Sequence, residues 1–98
     1  MNYQNEATAR LFQAILSLNT LEECKSFFED ACTIKEILDI AQRFEVARML
    51  TDKMSYQQIS QQTGVSTATI SRVNRCITYG AGGYKTAIER LKEQESAK

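Results

Sequence analysis

The side chains best placed to do chemistry lie between Ser66 and Arg75, where short polar residues and arginines recur at helical spacing. Thr67, Ala68, Ser71, Arg72 and Arg75 would share one face of a helix, with Ile70, Val73 and Ile77 on the opposite face. Small residues near a helix N-terminus allow close approach to base edges. Hydroxyls contact bases or phosphates, and the helix N-terminus itself attracts phosphate. That mixture suits a helix inserted into the major groove of double-stranded DNA. Gln57 on the preceding helix, with Ser66 and Thr69 at the start of this one, completes the expected DNA-contacting set. The plainer alternative is two packed helices with a glycine turn, used structurally or to bind protein.

Such a face needs a frame, and the flanking residues predict one. Ser55 can cap a short helix, and Gln58 three residues on completes a capping box. Ile59 is that helix's buried residue. Gly64 supplies the turn, where a positive φ costs a Cβ-bearing residue about 1–2 kcal/mol. Val65 packs under the turn, and Ser66 caps a second helix running through roughly Cys76. Residues 55–77 therefore read as a helix-turn-helix.

Other chemistries find no support. The chain has no histidine, so the commonest general base is missing, and no Ser or Cys sits beside an obvious activator. Cys24, Cys32 and Cys76 have no close pairing pattern. They are expected to be buried, reduced thiols in a cytoplasmic protein, with no metal site. Gly80, Gly82 and Gly83 suggest a phosphate cradle, but the lysine–hydroxyl pair and the preceding strand of a P-loop are missing. A helix-to-helix turn accounts for them better. The expectation is a non-enzyme without cofactor, catalytic residue or metal.

The 98 residues suffice for one domain, and the lack of proline and of strand-like alternation points to an all-α fold. Helices are expected over residues 6–18, from Thr20 to about Ala31, and over about 34–51, with a last helix over 84–94 and a frayed end after it. Thr20 with Glu23, and Thr33 with Glu36, carry capping-box signatures. Phe27, Phe28 and Phe44 are core candidates, and Ile37, Leu38, Ala41, Ala47 and Leu50 are expected to point inward. The first helix is apolar nearly all round, with Leu11, Phe12, Ile15, Leu16 and Leu18 among alanines. Such a helix must be covered from two sides. A second copy of the chain is the simplest cover, and a helix threaded through the monomer core is the alternative. Residues 1–52 thus read as a dimerisation part joined without a linker to the motif.

Charge is segregated although the net is zero. Residues 1–52 hold five Lys/Arg against nine Asp/Glu, whereas residues 53–88 hold Lys53, Arg72, Arg75 and Lys85 and no acid. The positive charge sits where phosphate contacts are needed. No apolar run is long enough to span a membrane and no signal-peptide pattern opens the chain.

With the motif placed, the chain resembles the Trp repressor family, and within it the YerC/YecD-type branch of Trp repressor-like proteins. The likeness rests on three helices before the motif, Met54-Ser55, the turn Gly64, and Ala68-Thr69-Ile70-Ser71-Arg72, which nearly repeats the Trp repressor's recognition helix. It implies an all-α intertwined homodimer that binds palindromic operators. It also implies an effector pocket in which Arg72 and Arg43 match the two arginines around the corepressor. Two positions depart from the pattern: Val73 stands for a glycine, and Cys76 for the serine that receives the amino group. A branched side chain there would fill the pocket. The resemblance therefore implies a DNA-binding regulator that has lost its tryptophan response, with another small effector left open. The rival is a DNA-binding accessory factor or protein-interaction adaptor built on the same motif.

Overall fold

A computed structural model describes residues 3–97, and every regular element among them is an α-helix. The helices are α1 (Glu6–Leu16), α2 (Leu21–Ala31), α3 (Ile34–Thr51), α4 (Tyr56–Thr63), α5 (Thr67–Tyr79) and α6 (Gly83–Ser96). The chain divides into two compact units, Met1–Ile37 and Leu38–Lys98. The division falls inside α3, so the second half of that helix belongs with the helix-turn-helix.

In the first unit local polar chemistry sets the helix ends. Asn5 caps α1 by accepting from the Thr8 amide at 2.9 Å, and Thr8 Oγ1 accepts from the Asn5 amide at 3.0 Å. The helix stops at Leu16 rather than Leu18, because Ser17 turns its hydroxyl onto the Ala14 carbonyl at 2.6 Å. Thr20 caps α2 through the Glu23 amide at 3.1 Å, while the Glu23 carboxylate accepts from the Asn19 amide, one residue further back. Thr33 and Glu36 close a capping box on α3.

Neither α1 nor α2 contains a buried residue. Leu11, Phe12, Leu16 and Leu21 are exposed, as is Ile34 at the start of α3. The cysteines are free thiols as expected but are not buried: Cys24 and Cys32 are half-buried and Cys76 is exposed.

The second unit holds the core. Val46 and Ala47 of α3, Ile59 of α4, Val65 of the turn, Ile70 and Val73 of α5 and Ile88 of α6 are buried together. Phe44, Met49, Leu50, Met54, Ile77 and Tyr84 pack around them. Burial of one such aliphatic side chain contributes about 1.5–3 kcal/mol. Of the α3 residues expected inward, Ala47 is buried and Ile37, Phe44 and Leu50 are half-buried, but Leu38 and Ala41 are exposed. Val46, not among them, is fully buried. The face that α3 buries changes along its length.

Two further boundaries shift. No strong helix breaker precedes Gly80, so α5 continues to Tyr79 instead of ending near residue 77. The helix-favouring run Glu93-Gln94-Glu95 likewise carries α6 on to Ser96. Surface ion pairs connect α6 back to α3 and its end, Lys92 to Asp52 at 2.9 Å and Arg48 to Glu95 at 4.0 Å.

Truncation at the core centre should separate cleanly from truncation at the rim. Ile70→Ala is expected to lower unfolding free energy by about 2–5 kcal/mol. Tyr79→Ala, at a side chain 83 % exposed, should stay within about 0.5 kcal/mol of the parent. Urea denaturation midpoints at matched protein concentration measure both.

Candidate nucleic-acid interface

The helix-turn-helix is built from local hydrogen bonds. Ser55 Oγ accepts from the Gln58 amide at 3.1 Å and Gln58 Oε1 accepts from the Ser55 amide at 2.9 Å, which closes the box on α4. The helix ends at Gly64, whose φ of 75° is left-handed and whose amide donates to the Ser60 carbonyl at 2.8 Å. Thr63 Oγ1 donates to the Ile59 carbonyl at 2.7 Å and accepts from the Val65 amide at 3.1 Å, bracing the turn from its polar side. Ser66 Oγ accepts from the Thr69 amide at 3.2 Å and so caps α5.

Because Ile70 and Val73 are fixed in the core, the other faces of α5 are set. Thr67, Ala68, Ser71, Arg72 and Arg75 are exposed, as are Ser66 at the cap and Gln57 on α4. Neither Arg72 nor Arg75 forms an ion pair among the described residues. Their guanidinium donors are free for an outside acceptor. Thr69 differs from this set. It is half-buried, and its side of α5 turns toward α3.

On that side lies an open cleft of about 420 Å³ lined by Asp39, Gln42 and Arg43 of α3, Thr69, Arg72, Val73 and Cys76 of α5, and Tyr84 of α6. The four residues singled out for an effector pocket, Arg43, Arg72, Val73 and Cys76, thus meet at one place. Val73 lines this cleft with only 2 % of its surface exposed, so it forms the floor between the cleft and the core. Asp39, Gln42 and Tyr84 were not singled out in the sequence. Residues 39, 42 and 43 do share one helical face, the signal that groups them.

A family model for the Trp repressor protein matches residues 6–92 of the chain. The chain belongs to the Trp repressor family. That family is one of DNA-binding regulators rather than enzymes. Uncharacterized protein YerC of Bacillus subtilis (strain 168) is 56 % identical over 87 residues, covering 89 % of this chain and 84 % of that protein. The crystal structure of a TrpR-like protein from Eubacterium eligens ATCC 27750 superposes with a TM-score of 0.85 at 56 % identity, covering 91 % of this chain and 92 % of that one. A Staphylococcus aureus structure described as a candidate Trp repressor gives 0.84 at 43 % identity, covering 91 % and 89 %. No helix among the described residues is long and apolar enough to cross a membrane.

In this Trp repressor-family chain the turn and the cap carry measurable weight. A Cβ at Gly64 would meet no atom within 4 Å, so Gly64→Ala should cost only the conformational strain of about 1–2 kcal/mol. Ser66→Ala removes the α5 cap and should cost about 1 kcal/mol. Thermal unfolding of each variant against the parent reads both losses.

Proposed function

We propose that this protein is a sequence-specific transcriptional regulator that binds a palindromic operator as a homodimer, with α5 in the major groove, and that it does not respond to tryptophan. One observation carries the reading: Thr67, Ala68, Ser71 and Arg75 are exposed together on a capped helix whose opposite face is locked into the core. Short polar residues at the N-terminal end of α5 suit base edges, and Arg75, two turns further on, suits a phosphate. Gln57 on α4 and Ser66 at the cap suit backbone contacts, and Thr69 lines the cleft together with Arg72.

The homodimer is supported by the N-terminal part of the chain. Among the described residues, the exposed large apolar side chains other than Tyr56 and Tyr79 lie at or before Ile40. A short chain gains stability by covering such surface with a second copy. Symmetry also serves recognition. One bidentate contact discriminates by about 1–3 kcal/mol, too little for a genomic site, while a two-fold dimer doubles the contacts on half-sites about 34 Å apart.

Loss of the tryptophan response rests on Val73 and Cys76. The family pattern puts a glycine, open to close approach of an indole, where this chain has Val73, and a hydroxyl for the ligand's amino group where it has Cys76. The cleft beside Arg43 and Arg72 leaves space for an effector of different chemistry.

Sedimentation at micromolar concentration should give a dimer, and Leu11→Glu with Ile15→Glu should dissociate or unfold it; a well-folded wild-type monomer would refute the assembly. Selection from a random DNA pool should return an inverted repeat. Thr67→Ala and Ser71→Ala should change the preferred sequence, whereas Arg75→Ala should weaken all sequences alike and flatten the salt dependence. Recovery of no inverted repeat would count against operator binding. Calorimetry should detect no tryptophan binding, and a micromolar dissociation constant would overturn that part.

A further inference from the structure

A second concavity lies on the other flank of α5. It is a cleft of about 440 Å³ with an apolar lining of Leu50, Ile77 and Ile88, and it is also lined by Lys53, Lys85 and Lys92. That volume falls in the range of small-molecule sites. Glu89 is its one acidic lining residue. Lys92 is already paired with Asp52, but Lys53 and Lys85 make no ion pair among the described residues.

Lys53 is also in an unusual backbone state. Its φ of 67° is the single positive value at a non-glycine position among the described residues. It follows the end of α3, where its amide donates to the Leu50 carbonyl at 3.0 Å and the Met54 amide to the Met49 carbonyl at 3.1 Å. Glycine suits that closing position without strain. Here the chain carries a long cation instead, beside an open cleft. Strain of this kind clusters where a side chain serves a ligand.

We propose that this cleft binds a small amphipathic organic anion, its apolar or aromatic body on Leu50, Ile77 and Ile88 and its acidic group held by Lys53 and Lys85. A duplex backbone matches it less well, because a phosphodiester chain has nothing apolar to set against those three side chains. An occupant would touch α3, α5 and α6 together. It would brace the helix that carries the exposed polar face from the side away from Arg43.

The test uses the full chain and 2-naphthalenesulfonate as probe, followed by amide shifts in two-dimensional NMR, with 2-naphthol and inorganic phosphate as half-ligands. Saturable shifts are expected at Thr51, Asn74, Ile77 and Lys85, with each half-ligand binding at least roughly tenfold more weakly. Lys53→Gly should raise the melting temperature by relieving the strain. Combined with Lys85→Gln, it should weaken the probe by roughly tenfold or more. The proposal fails if no shift saturates, if shifts centre on Arg43 and Arg72 or on Leu11 and Phe12, or if the double variant binds the probe as tightly as the parent. It fails equally if the probe does not bind while the double variant loses DNA affinity, which would make the lysines duplex contacts.

Discussion

What α5 presents outward is decided by what it buries. Ile70 and Val73 enter a cluster with Val46, Ala47, Ile59, Val65 and Ile88, and no polar side chain shares that cluster. Rotation of a helix by one residue turns its surface through about 100°. A slip of that size would expose Ile70 and bury Ser71 without a partner, losing apolar contact and desolvating a hydroxyl together. The apolar pair therefore fixes the rotational setting of the helix, and the capped turn at Gly64–Ser66 fixes where it starts. Recognition chemistry needs both, because side chains as short as threonine and serine have no reach to correct an error.

The two units meet opposite conditions. The second is closed by seven buried side chains drawn from four helices and a turn. The first has well-capped helices and aromatic contacts such as Phe27 with Phe28, at a ring separation of 5.5 Å, but no buried residue in α1 or α2. Capping sets where those helices begin and end without giving their apolar residues anything to cover them. Residues 1–37 carry three Lys/Arg against six Asp/Glu, and residues 38–98 carry nine against six. Net charge and burial thus divide the chain in the same sense.

Much of this was legible because it is local. Ser55 with Gln58, Thr20 with Glu23, Thr33 with Glu36, Ser66 and Gly64 act within four residues, and each performs in the structure close to its sequence signature. Asn5 was not legible, since its reciprocal partner is Thr8 rather than a glutamate or glutamine. Val46 was hidden for a different reason. A single helical period cannot describe α3, which exposes Leu38 and Ala41 and then buries Val46 and Ala47. The cleft beside Val73 depended on a third element, since Tyr84 arrives from α6. Lys53 gave no signal at all, because a lysine after a helix reads as ordinary surface.

The C-terminal helix has a consequence for how the molecule comes apart. α6 spans Gly83–Ser96 but buries only Ile88, near its beginning. Beyond that point it is held by half-buried Leu91 and by the exposed Lys92–Asp52 pair and the partly exposed Arg48–Glu95 pair, which contribute little individually. Local stability therefore falls along its length, and amide protons near Ser96 exchange before those flanking Ile88. Raising the ionic strength screens the two pairs and moves the point of fraying toward the core. The protein has a graded edge that opens one turn at a time, beside a core that opens as a whole.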